Sequence, residues 1–266
     1  GERTVNTVVG STAPIADGPW RGAIAALNDA RGLYQQANAP ASAAQVLLYL
    51  AGSHYDRGAF DAAVAGFESA AAALRELGAT QDQLLAESNL AAVQFDRGDF
   101  AGAARVWEDL LLRLPPSDAE GRALSLQNLA GAISATGDSE RALSAYRESL
   151  EIATQIGDDD MLSRALSGLG NNHARLGHHD LAITCMRDAI AIRRRLGHLD
   201  AAALSLAQLG DVYLQSGDLQ RARASHRAAL ELIGSAAAPA LRARLLLALG
   251  GDQALAGQHA LAIGTY

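Results

Sequence analysis

Apolar residues between Leu162 and Gly197 recur at intervals of three and four, which is the spacing of one face of an amphipathic α-helix. In the first half of this segment, Leu166, Leu169 and His173 fall on a common face. Gly177 then interrupts the pattern, because glycine readily adopts the left-handed conformation that ends helices. The first half therefore predicts a short helix that ends in a tight turn.

The second half of the segment starts near Asp180, which we expect to cap the N-terminus of a second helix. Ile183, Met186 and Ile190 share one face of that helix, and Gly197 closes it. A single pair of such helices cannot bury its own apolar face. The pair therefore predicts packing against further copies of itself.

The same plan recurs along nearly the whole chain. Successive turn glycines lie 40 residues apart, with one step of 39, at Gly18, Gly58, Gly98, Gly137, Gly177, Gly217 and Gly257. An alanine follows each by five residues, at Ala23, Ala63, Ala103, Ala142, Ala182, Ala222 and Ala262. A leucine precedes six of them by eight residues, at Leu50, Leu90, Leu129, Leu169, Leu209 and Leu249, and the residue after each leucine is alanine or glycine.

Each repeated position has a physical reason. A leucine buried between two helices contributes about 1.5 to 3 kcal/mol. The small residues indicate where helices approach most closely, since a bulky side chain there costs about 1 to 3 kcal/mol. The pattern predicts an all-α fold of stacked antiparallel helix pairs.

These positions, together with a bulky residue four places after the alanine, resemble the tetratricopeptide repeat family. The bulky residues are Phe67, Trp107, Tyr146, Met186, His226 and Tyr266. The family repeat has about 34 residues, and the longer step here is similar to the long-repeat subclass of bacterial regulators and of kinesin-light-chain-like or cell-polarity scaffolds. The resemblance covers Gly18 to Tyr266 and implies an α–α superhelical solenoid.

The first 17 residues do not follow the repeat. Val5 and Val8 are β-branched and Pro14 interrupts helices, so we expect an extended lead or linker, either the tail of a preceding domain or a strand folded back on the groove. The rest is expected to be one repeat domain. Its parts are a half repeat over 18–40, pairs at about 41–80, 81–120, 121–160, 161–200 and 201–240, and a truncated pair over 241–266.

Composition excludes several classes of site and partner. All 22 basic residues are arginine, which excludes Schiff-base lysines and phosphate-loop lysines. A net charge of −7 argues against a nucleic-acid partner, and no apolar run is long enough to cross a membrane. A single cysteine, Cys185, is typical of a reducing compartment, so we expect a cytoplasmic protein.

Catalytic chemistry is not indicated. His173, His178, His179 and Cys185 lie near one another in the sequence, but His173 takes an inward helix position and His178 and His179 fall in a turn. We interpret these residues as structural, and we expect no metal, no cofactor and no enzymatic activity.

The resemblance implies that the first helix of each pair lines a concave groove, with ligand contacts on the face opposite the leucine. Residues at i, i+4, i+7 and i+11 return to within about 40° of one another on a helix and define that stripe. The predicted peptide-binding residues are Tyr49, Asn89, Asn128, Arg164, Asn171, Arg175, Gln208, Asp211 and Arg244. Amides bond to the main chain of an extended peptide, and arginines pair with its carboxylates.

The charge along this stripe changes sign. Asp56 and Asp96 belong to the earlier pairs, whereas Arg164, Arg175 and Arg244 belong to the later ones. We expect a ligand with acidic residues facing the later pairs. The carboxylate clamp found in chaperone-binding family members is not reproduced, because its lysines are missing from this sequence.

The sequence therefore predicts a protein-interaction scaffold, the partner-binding or sensor part of a larger bacterial regulatory protein. Two alternatives remain open. One is an oligomerisation module that pairs through an open end near Tyr266, and the other is a concave face that is merely solvated.

Overall fold

The computed structural model describes residues 18–233 and 239–255. Within these ranges the chain is helical and contains no strand. The helices are α1 (Gly18–Gln36), α2 (Pro40–Asp56), α3 (Phe60–Glu76), α4 (Thr80–Asp96), α5 (Phe100–Arg113), α6 (Ala119–Ala135), α7 (Ser139–Ile156), α8 (Asp159–Arg175), α9 (His179–Arg195), α10 (Leu199–Gln215), α11 (Leu219–Ile233) and α12 (Pro239–Leu255). The predicted all-α repeat fold is confirmed. The lead over 1–17 and the end near Tyr266 lie outside the described residues.

The helices form two compact units that divide between Pro115 and Pro116. Unit 1 contains α1 to α5 and unit 2 contains α6 to α12, and within each unit every helix packs on the next. Helix α5 ends at Arg113, and Leu114 after it is extended, because proline disfavours a helical conformation in the residue before it. The single domain over 18–266 stays a prediction.

The core contains the residues that the repeat predicts. Leu50, Leu129, Leu169 and Leu209 are buried, and the alanine five residues after each turn glycine is fully buried from Ala63 to Ala222. Gly170 shows why a small residue follows the leucine. A methyl group on Gly170 would lie 3.0 Å from the side chain of Met186 and 3.3 Å from the carbonyl oxygen of Ala182.

The predicted helix-ending turns are also confirmed. Gly177 has a φ of 77°, in the left-handed region that glycine adopts at low cost. Its N–H donates to the carbonyl oxygen of Ala174 at 3.0 Å, and the N–H of His178 donates to that of His173 at 2.9 Å. These bonds close the C-terminus of α8 and reverse the chain into α9.

One predicted cap is wrong. Helix α9 begins at His179 with His178 as its N-cap, and Asp180 lies in the first turn, where its negative charge favours the helix dipole. Aspartates do cap other helices. The carboxylate of Asp138, for example, accepts from the N–H of Arg141 at the start of α7.

Candidate binding surface on the first helices

The first helices of successive pairs lie side by side within each unit. Helix α8 packs on both α6 and α10, and α2 packs on α4, whereas no comparable packing joins α7 to α9 or α9 to α11. A side-chain amide also bridges α6 and α8, since Gln127 donates to the carbonyl oxygen of Met161 at 2.9 Å. Helices that approach more closely lie on the inner side of a curved stack. We call the side of α6, α8 and α10 that faces away from the second helices the unit 2 wall.

Two of the predicted site residues belong to unit 1. Tyr49 on α2 is 58% exposed, whereas Asn89 on α4 is only 9% exposed. Beside them, the hydroxyl of Tyr55 donates to the carboxylate of Asp96 at 2.6 Å. Burial raises the pKa of the Asp56 carboxyl. The first helices of unit 1 therefore present Tyr49 and acidic groups, while Asn89 is largely enclosed.

The two predicted arginines of α8 have different surroundings. The guanidinium of Arg164 pairs with the carboxylate of Asp160, one helical turn earlier. Arg175 is exposed and donates from Nη1 to the carbonyl oxygen of Ser134 on α6 at 2.7 Å and to its hydroxyl at 3.1 Å. In the described part of the chain no carboxylate pairs with Arg175. Asp160 neutralises the charge of Arg164, whereas no acidic side chain among the described residues neutralises that of Arg175.

The middle of the unit 2 wall contains polar groups and glycines. Asn128 on α6 buries its side-chain nitrogen without a hydrogen-bond partner among the described residues. The ring of Tyr146, from α7, reaches between the first helices. A methyl group on Gly168 of α8 would lie 2.3 Å from that ring, and one on Gly131 of α6 would lie 3.6 Å from the Tyr146 hydroxyl. Asn171 is half-buried one turn after Gly168.

The remaining predicted residues lie on α10 and α12, the first helices of the last two pairs. Gln208 on α10 is half-buried, while Asp211 on α10 and Arg244 on α12 are exposed. The carboxylate of Asp211 lies 3.5 Å from Nε2 of the buried His226.

His226 joins three helices of unit 2. From α11, its Nδ1 contacts the buried carboxylate of Asp252 on α12 at 2.5 Å, and its Nε2 contacts the carbonyl oxygen of Ala207 on α10 at 3.0 Å. Burial alone lowers the pKa of His226, but hydrogen bonds and charge from Asp211 and Asp252 outweigh it and raise that pKa to about 9. The imidazole is therefore protonated near neutral pH and forms a buried ion pair.

Sequence reasoning missed three of these features. Ser134 lies outside the i, i+4, i+7, i+11 stripe, and nothing in the pattern indicated that it orients Arg175. The repeat indicates Tyr146 only as its bulky residue, although two glycines in the stripe, Gly131 and Gly168, are the signal that a neighbouring side chain approaches there. Asp252 gave no signal, because its partner lies 26 residues away on another helix.

The structure gives the other candidate residues no reactive arrangement. The rings of His173 and His178 lie 5.7 Å apart, and His173 is buried as predicted. Burial and the charge of Asp188 raise the pKa of the Cys185 thiol, which disfavours the nucleophilic thiolate. Within residues 18–233 and 239–255 no three histidine, cysteine or acidic side chains are arranged to hold a metal ion. None of the helices described there has the length and apolar character of a membrane span.

Sequence comparison identifies the repeat. A profile of the tetratricopeptide repeat matches residues 121–195, and a second profile of that repeat matches residues 205–236. Both matches fall in unit 2. Among curated proteins, none matches this sequence.

Solved structures share the architecture. The crystal structure of BtubC (BKLC) from P. vanneervenii is 19% identical with a TM-score of 0.59, over 94% of this chain and 89% of that chain. The signal transduction ATPase with a tetratricopeptide repeat sensor from Pyrococcus horikoshii is 15% identical with a TM-score of 0.72, over 93% of this chain and 38% of that chain. A thermophilic repeat protein of Thermus thermophilus is 25% identical with a TM-score of 0.59, over 77% of this chain and 98% of that chain.

Proposed function

Because the chain belongs to the tetratricopeptide repeat family, we propose that it is a non-catalytic scaffold that binds an extended segment of another protein along its first helices. Stacked helix pairs present extended inner surfaces, which repeat proteins of many kinds use for binding. The described part of the chain contributes no reactive arrangement to this surface. Binding is therefore the activity that its chemistry supports.

The observation that carries this proposal is the state of Arg175. Its guanidinium is fixed against α6 by Ser134 and carries a full charge that no acidic side chain of the described residues balances. Its remaining donors are free to bind a carboxylate, for which the planar guanidinium is well suited. The bound segment therefore carries an aspartate or glutamate that reaches Arg175.

Arg164, the other predicted arginine of α8, contributes less. Asp160 already pairs with Arg164, and it also contacts Nδ1 of His198 at 3.2 Å. A ligand carboxylate at Arg164 would compete with this acidic group. The expectation of an acidic ligand is therefore retained for Arg175 and withdrawn for Arg164.

We place this scaffold within a regulatory protein, as a sensor or partner-binding part. The support is the likeness to the Pyrococcus horikoshii protein, whose repeats are described as a sensor. The alternative of an oligomerisation module depends on the end near Tyr266, outside the described residues, and nothing in the described helices favours it.

A positional-scanning library of N-acetylated, C-amidated decapeptides tests the proposal. The protein is expected to enrich peptides with aspartate or glutamate at one position. Arg175→Gln should weaken binding of the best peptide about tenfold and remove that preference, since a charge-assisted hydrogen bond is lost.

Arg164→Gln is the matched control, because it removes an equal charge from the same helix. We expect it to keep both the preference and most of the affinity. Absence of any enriched peptide with the wild-type protein would refute the proposal, and equal losses in the two variants would refute the assignment to Arg175.

A further inference from the structure

One exposed position of the second helices carries a charge in every pair from α2–α3 to α10–α11. It is the residue that directly follows the bulky residue of the repeat. In unit 1 it is acidic, at Glu68 on α3 and Glu108 on α5. In unit 2 it is basic, at Arg147 on α7, Arg187 on α9 and Arg227 on α11. We call the first set the glutamate row and the second set the arginine row.

The arginine row has no acidic partner in the described part of the chain. Arg187 donates from Nη2 to the hydroxyl of Tyr213 at 2.9 Å, and this neutral group fixes the guanidinium without balancing its charge. Arg195, near the end of the same helix, does pair with a carboxylate, that of Asp159 at 2.8 Å. No carboxylate among the described residues lies within ion-pair distance of any member of the row. Three positive charges are therefore presented to solvent without compensation.

The two rows have the same spacing. Neighbouring members of each row stand 40 residues apart, on helices of the same repeat type, so one step of the stack separates them. Two glutamates can therefore meet two arginines when the rows face each other. Reversing the direction of the helices only exchanges which glutamate meets which arginine. The match in spacing follows from the repeat itself.

A second copy of this chain is the partner that accounts for both rows. An unrelated acidic partner would account for the arginines but would leave the change of sign at one repeat position unexplained. Complementary charges steer two surfaces together and exclude pairings of like charge. An interface also needs apolar surface, and Leu112, one helical turn after Glu108, is 87% exposed beside the glutamate row.

We propose that the chain self-associates by docking the glutamate row of one copy on the arginine row of another. The guanidinium groups of unit 2 pair with the carboxylates of unit 1 across this contact. The contact goes beyond the proposed function and is separate from it, because it uses second helices and leaves the unit 2 wall accessible to a peptide. It also does not involve the end near Tyr266. Because exposed charges are screened by salt, the association weakens as the ionic strength rises.

Sedimentation velocity of the whole chain, over a wide range of protein concentration and at low and high salt, tests the proposal. One variant reverses the glutamate row, Glu68→Arg with Glu108→Arg, and another reverses the arginine row, Arg147→Glu with Arg187→Glu and Arg227→Glu. Each variant alone should associate at least about tenfold more weakly than the wild type, because like charges then face each other. An equimolar mixture of the two should associate again, since opposite charges meet.

The matched control is Glu120→Arg with Asp200→Arg. It reverses the same number of exposed acidic charges as the first variant, but on the first helices α6 and α10, and should leave the association unchanged. Thermal melts followed by circular dichroism verify that every variant is folded. A wild-type protein that is monomeric at every concentration would overturn the proposal, as would a mixture that associates no better than its two components. Either result leaves the proposed function standing, since the peptide library tests that separately.

Discussion

Two arginines of α8 show how much the neighbours of a residue decide its role. Arg164 and Arg175 have the same side chain and belong to the same predicted stripe. The pairing of Arg164 with Asp160 was readable from the sequence, because residues four apart on a helix are neighbours. The bonds from Arg175 to Ser134 join two helices, and only the packed structure reveals them.

Stability at the residue scale depends on the ion pair of His226 and Asp252. The pKa of His226 is about 9 in the folded protein, above the value of about 6.5 for a free histidine. Because the folded pKa is the higher one, this stabilisation is fully present below about pH 6.5 and is lost as pH rises through about 9. We expect the free energy of unfolding, measured by urea denaturation, to fall over that range.

The repeat itself supplies the variants for this measurement. Met186 and Val212 stand 40 residues before His226 and Asp252 and are both buried. His226→Met alone should lower the free energy of unfolding by about 3 kcal/mol, because Asp252 is left buried without its partner. The double variant His226→Met, Asp252→Val should recover that loss and show a weaker pH dependence. A double variant as unstable as the single one would contradict the ion-pair account.

At the scale of the helix, the sequence pattern predicted which helices form better than it predicted the residue at which each helix begins. The turn glycines and buried leucines fix where pairs begin and end, because each position has one dominant physical requirement. The N-caps vary along the chain, with Asp138 before α7 and His178 before α9, so the expectation that Asp180 caps α9 failed. Ala59, before α3, has a similar backbone conformation to the capping aspartates but offers no side-chain bond.

This variation predicts opposite effects of two substitutions. Asp138→Ala removes a side chain that accepts from the N–H of Arg141 at 3.2 Å and should lower the free energy of unfolding by about 1 kcal/mol. Ala59→Asp introduces the same kind of cap at the start of α3 and should raise it by about 0.5 to 1 kcal/mol. Thermal and urea melts of the two variants provide the measurement. A destabilised Ala59→Asp protein would show that the turn geometry does not decide this capping.

At the scale of the whole molecule, the sequence predicted the fold because the 40-residue repeat places the same kinds of residue at the same positions of every helix pair. It predicted the candidate site less well. A stripe of residues on each first helix follows from helix geometry, but burial and partners depend on neighbouring helices. Asn89 is enclosed, and the ring of Tyr146 approaches Gly131 and Gly168 of the first helices from a second helix. The division near Pro115 was visible only as one shortened step in the repeat.

The central claim is that the first helices of unit 2, and not the second ones, form the binding surface. Photo-crosslinking of the best library peptide tests it directly, with benzoylphenylalanine introduced singly at Asn171 and Gln208 on first helices and at Glu151 and Arg194 on second helices. The peptide should crosslink from Asn171 and Gln208 and not from Glu151 or Arg194. Crosslinks that form mainly from the second helices would contradict the account.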